Sequence, residues 1–111
     1  MNVKELSEKL NLVVVAGADG LNRQITGGYS SDLLSDVMGH AEAGMVWITL
    51  QTHKNVMAIA SLKELAAIIL VKGFQPDPDM LQQAIIEGIP VLSTGLPAFE
   101  INGLIYNLIK E

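Results

Sequence analysis

Three short apolar runs, at residues 45–50 (MVWITL), 66–71 (AAIILV) and 90–93 (PVLS), constrain this chain more than any other feature. Their centres, Trp47, Ile69 and Val91, recur about every 22 residues, and a segment of helical period follows each. That spacing accommodates a strand, a crossover helix and the next strand. A strand with apolar side chains on both faces belongs inside a parallel sheet covered by helices on each side. The pattern therefore predicts a right-handed βαβαβα core.

The intervening segments support this reading. Residues 55–65 place Val56, Ile59, Ala60 and Leu62 on one predicted helical face. Asp77-Pro78-Asp79 supplies a cap, a first-turn proline and an acid matched to the helix dipole, and Gly88 closes that helix. Residues 97–110 carry Ile101, Leu104, Ile105 and Leu108 at the i, i+3, i+4, i+7 spacing. Upstream, Val3, Leu6 and Leu10 mark an amphipathic helix over 3–10, and residues 12–16 read as a strand. Gly17-Ala18-Asp19-Gly20 is turn chemistry, and a second strand over 22–25 would complete a hairpin-like excursion. Next, Thr26-Gly27-Gly28-Tyr29 reads as a turn into a helix capped by Ser30 or Ser31. Asp32 would lie in its first turn, Leu33, Leu34, Val37 and Met38 on its apolar face, and Gly39 at its end. Trp47 is expected in the core, and the scattered methionines as gap-fillers.

The 111 residues suit one α/β domain, a mostly parallel sheet covered by helices on both faces and preceded by a short helix and hairpin. Half the residues are hydrophobic and 17% are charged, a composition that suggests apolar surface buried between subunits. Twelve acidic against seven basic residues give a net charge of −5, the wrong sign for holding a phosphate backbone, so no nucleic-acid partner is expected. With no cysteine there is no disulfide and no thiolate metal site. Lys4, Glu5, Glu8 and Lys9 break the N-terminal segment as a signal or membrane span, and a cytoplasmic location is the default expectation.

Taken together, T-G-G at 26–28, S-D-L-L-S-D-V-M-G at 31–39, W-I-T-L-Q-T-H-K-N at 47–55 and L-S-T-G-L-P-A-F-E at 92–100 resemble a DRTGG domain over most of residues 1–111. Arg23 precedes the T-G-G, with Gln24 and Ile25 between them, and there is no contiguous Asp-Arg-Thr run. The resemblance implies a compact α/β fold, similar to the N-terminal domain of HPr kinase, and a self-associating regulatory module rather than an activity. It implies a homodimer and a partner enzyme, and no cofactor.

Two regions are candidate ligand contacts. Thr26, Gly27, Gly28 and Tyr29 would bring backbone N–H groups toward an anion, although neither a Walker ending nor a G-x-G-x-x-G spacing is present. Gln51, Thr52, His53, Ser93 and Thr94 fall at the carboxyl ends of predicted strands, where ligands of open α/β sheets gather. With Lys54 and Lys72 nearby they would take a small anionic metabolite or nucleotide, although Thr52 and Thr94 serve equally as helix caps. His40 and His53 lack companions at metal-ligand spacing, so no metal site is expected. There is no G-x-S-x-G elbow, and the pairs Asp32/Asp36 and Asp77/Asp79 are simply read as helix-start acids. The expected function is a non-catalytic regulatory module. Its alternatives are a phosphoryl- or acyl-processing enzyme, with T-G-G as anion cradle and His53 as base, and a scaffold for a redox enzyme.

Overall fold

The structure, a computed structural model, describes residues 1–110. Five strands form one sheet: β1 (Val13–Ala16), β2 (Gly27–Ser30), β3 (Met45–Thr49), β4 (Ala67–Leu70) and β5 (Val91–Ser93), in the order β1-β5-β4-β3-β2. β2 to β5 are parallel and β1 is antiparallel to β5. The helices are α1 (Val3–Leu10), α2 (Leu34–His40), α3 (Lys54–Lys63), α4 (Pro78–Glu87) and α5 (Ala98–Ile109).

Period-two alternation along the strands sorts the core into two layers. Trp47, Ile68, Leu70 and Val91 face α2, α3 and α4 through Val37, Val56, Met57, Ala60, Met80 and Ala84. Val46, Ile48, Ala67, Ile69 and Leu92 face α1 and α5 through Val3, Leu6, Ile101 and Ile105. Both faces are covered, which is why β4 is buried at every residue. All three crossover helices lie on one face because β2, β3, β4 and β5 are laid down as successive neighbours.

Local chemistry sets the helix ends. Asn2 and Glu5 exchange reciprocal bonds of 3.0 and 2.9 Å at the start of α1, a capping box. Pro78 opens α4 after Asp77, and Gly88 ends it at φ +65°.

Three expectations fail. The hairpin over 12–25 does not form: β1 pairs with β5 at the far edge, and residues 22–25 lie instead along residues 1–3, through the isolated bridge Gln24 to Asn2 and the backbone bonds Val3 N–H to Arg23 O and Ile25 N–H to Met1 O. A partner strand from the C-terminal half outcompetes the local one because it extends the buried sheet. The T-G-G is not a turn into a helix. Gly27 and Gly28 are ladder residues of β2, paired with Met45 and Val46, and α2 starts at Leu34. Finally, the apolar helical faces are narrower than their periodicity suggests: Leu33, Met38, Leu62 and Leu104 are exposed, and Gly39 lies inside α2.

Candidate functional site

The expected ligand residues divide between opposite ends of the sheet. Thr26 stands at the amino end of β2, where its N–H donates to Gly44 O at 2.9 Å and its Oγ1 to Ala43 O at 2.8 Å. Gly44 adopts φ +82°, and a Cβ there would lie 2.6 Å from Thr26 Cγ2, so these two residues fit only as a pair. Thr26 thus spends its polar groups joining β2 to the loop before β3. His53 follows β3 at its other end, a strand's length from Thr26. The T-G-G cradle and a His53 base therefore do not share a substrate position.

At the carboxyl ends the polar side chains tie one loop to the next. Asp32 Oδ1 accepts from Thr49 Oγ1 at 2.8 Å and from the Leu50 N–H at 2.7 Å, while Gln51 Nε2 donates to Asp32 O at 2.8 Å. Asp32 is thus the clamp between the β2–α2 loop and the end of β3 rather than a helix-start acid. Its place in the sequence, just before a helix, concealed that role. The Thr52 carbonyl accepts the Asp77 N–H, and His53 Nδ1 lies 3.3 Å from Asp77 Oδ2. Ser93 Oγ accepts from Gln75 Nε2 at 3.2 Å, and Thr94 Oγ1 from the Leu96 N–H, also at 3.2 Å. Between these loops lies a crevice of about 310 Å³ lined by Ser30, Ser31, Thr49, Lys72 and the start of α5.

Tyr29, on the α2 side of β2, is half-buried and donates its OH to Asp36 Oδ1 at 3.0 Å. Burial pushes the phenol above its ordinary pKa, and the Asp36 carboxylate adds to the rise. The hydrogen bonds from Tyr29 and Ser31 hold the Asp36 carboxyl below its usual range, with His40 contributing. Arg23 donates to Gly88 O at 3.2 Å and so closes the end of α4.

A larger concavity lies elsewhere. A groove of about 750 Å³ runs between β2 and α5, with Gly28, Ser30 and Ile48 from the sheet and Phe99, Gly103 and Tyr106 from the helix among its lining residues. Its surface is predominantly apolar, and among the described residues Glu100 is the one charged residue of its lining. Asn102 bridges the two walls, Nδ2 to Ser30 Oγ at 3.0 Å, and its shielded Oδ1 has no partner among the described residues. Sequence reasoning placed Gly28 and Tyr29 at a site but missed the α5 wall. The signal was available: Phe99, Gly103 and Tyr106 fall outside the i, i+3, i+4, i+7 set of Ile101, Leu104, Ile105 and Leu108. Among the described residues no cluster of three His, Cys, Asp or Glu side chains gathers as a metal site would require.

No family model and no curated protein matches this sequence. Among solved structures the chain is similar to the crystal structure of the CBS and DRTGG domains of the regulatory region of Clostridium perfringens pyrophosphatase, complexed with the activator diadenosine tetraphosphate. The TM-score is 0.70 at 13% identity, over 94% of this chain and 45% of that one. This chain thus spans under half the length of that neighbour, and what the two share is the fold, which is DRTGG-like.

Proposed function

We propose that this chain is a non-catalytic regulatory module that acts by association, pairing with a second copy of itself and, through that pair, with an enzyme whose activity it adjusts. The observation that carries the reading is the groove between β2 and α5, an open, mainly apolar surface suited to another protein surface rather than to a reaction centre. The likeness to a pyrophosphatase regulatory region supports it at the level of fold.

A small anionic effector is the second part of the proposal. The carboxyl-end crevice supports it: Lys72 and the Ser30 and Ser31 hydroxyls line it together with Asp32, whose Oδ1 is already held by Thr49 and Leu50, and Gln51, Thr52, His53, Ser93 and Thr94 stand on the loops around it. Since the neighbour was crystallised with diadenosine tetraphosphate, that compound, ATP and acetyl phosphate are the probes to use.

Sedimentation velocity from 1 µM to 1 mM tests the first part, with a concentration-dependent shift to twice the monomer mass expected; a strict monomer throughout rejects it. A thermal-shift titration tests the second. A ligand at 100 times its Kd adds about 2.7 kcal/mol to apparent stability, so a bound probe gives a clear rise in Tm that Lys72→Ala diminishes. No rise with any of the three rejects the effector.

A further inference from the structure

The glycines along the β2/α5 groove are not explained by the isolated chain. Gly28 sits in the ladder of β2 without a positive φ, and a Cβ on it would meet its nearest neighbours at 3.6 to 3.8 Å, ordinary contact. A Cβ on Gly103, in the sixth position of α5, would meet nothing within 4 Å. Yet glycine costs about 0.5–1 kcal/mol in a strand and about 1 kcal/mol in a helix interior, relative to alanine. Glycine inside a strand that needs neither its torsions nor its small size marks the close approach of another body. Gly28 and Gly103 lie on opposite walls of one groove, so the body they admit is the same.

Beside that hollow stands a matching projection. Phe99 is 89% exposed, lines the same groove, and precedes Gly103 by one helical turn. A face that carries both a knob and a hole meets the requirement of an isologous two-fold contact, in which each copy gives what it receives. When two α5 helices run antiparallel about an axis level with residue 101, residue 99 of each falls opposite residue 103 of the other. The charge pattern agrees. A partner selected by charge would need a face of one sign, whereas among the described residues Glu100 is the one charged residue of the lining and Lys110, its Nζ 6.0 Å from the Tyr106 ring centroid, borders it, so copies each carrying −5 overall meet on a face with one charge of each sign. Phe99, Tyr106 and Leu104 alone leave roughly 400 Å² of side chain exposed per copy, about half of what one partner buries in a standard interface. The β2 edge beside them carries no charge, proline or bulge to discourage docking, whereas the β1 edge has a register irregularity between Val14 and Ala16.

We infer that the homodimer forms across this face: α5 packs antiparallel on the partner's α5, and each Phe99 ring enters the hollow between Gly103 and Gly28 of the other copy. The inference rests on the self-association proposed above and specifies its surface.

Three substitutions in the full chain test it by sedimentation velocity, with circular dichroism confirming the fold. Phe99→Asp changes an exposed side chain and is expected to weaken dimerisation about 30-fold or more, the loss of a hot-spot anchor. Gly103→Leu fills the hole and is expected to do the same. Ile86→Asp, on the exposed side of α4, leaves the dimer unchanged. Because the chain has no cysteine, Phe99→Cys/Gly103→Cys, oxidised mildly at 1 mM protein so that the pair weakened by loss of the ring still forms, is expected to give a covalent dimer, and Val13→Cys, on the β1 edge, is not. If the wild type dimerises and the Phe99→Asp and Gly103→Leu variants do so equally well, or the Val13→Cys variant cross-links instead, this surface is overturned while self-association stands. A monomeric wild type overturns both.

Discussion

Thr26 and Gly44 show how much one residue of a motif depends on a partner far along the chain. The threonine is anchored through backbone and side chain to Gly44 and Ala43, and Gly44 must hold φ +82° without a Cβ to let it in. Gly44→Ala therefore combines torsional strain with a steric conflict, and is expected to cost about 2–3 kcal/mol, measurable as a lower urea midpoint. The Tyr29–Asp36 pair makes a different prediction. Asp36 has a lowered pKa in the fold, so its contribution is present above the ordinary carboxylate range and is lost as pH falls through the folded value. Tyr29 has a raised one, so its contribution is present below the ordinary phenol value, near 10, and is lost as pH rises through the folded value. Tyr29→Phe is thus expected to lower stability at neutral pH, with the difference from wild type shrinking at both acidic and strongly alkaline extremes. Urea midpoints at pH 3, 7 and 11 check this. Neither pairing was visible from spacing alone, because Thr26 and Gly44 meet only once β2 and β3 lie side by side.

Among the elements, β2 holds the most unusual position. A strand written Gly-Gly-Tyr-Ser contains little that favours extended structure, yet it pairs with β3 over all four residues. Gly28→Ala fits within ordinary contact distances, and is expected to raise the chain's own stability by about 0.5–1 kcal/mol, read from urea unfolding at protein concentrations below the dimer range. That weakness explains why the sequence disguises β2 as a turn. The 22-residue repeat announced β3, β4 and β5 because each is apolar on both faces, and Asp77, Pro78 and Gly88 marked α4 to the residue. The two edge strands were hard for opposite reasons. β1 was recognisable by its valines but not its partner, since nothing local distinguishes pairing with residues 22–25 from pairing with 91–93. In the same way, periodicity located α3 and α5 but overstated their buried widths. Leu62 and Leu104 match the helical period yet face water, and Leu104 lines the groove where the candidate interface lies.

At the scale of the whole molecule, the winding decides where function is located. Four parallel strands added in order, with every crossover on one face, leave no reversal of strand order within the parallel set, the place where such sheets open a ligand crevice. The carboxyl-end loops instead lock to one another through Asp32, Gln51, Gln75 and Asp77. What remains accessible is the side of the sheet where β2 ends the row. The opposite margin has a consequence in time rather than in space. Among the described residues β1 finds its only strand partner in β5, near the end of the chain, and its flanking Gly17 and Gly20 fit closely against Gly88, Ile89 and Pro90. A ribosome delivering this chain therefore releases β1 long before β5 exists. The βα units from β2 onward gain their neighbours one by one as they emerge, whereas the first strand waits, unpaired, for the last to close the sheet over it.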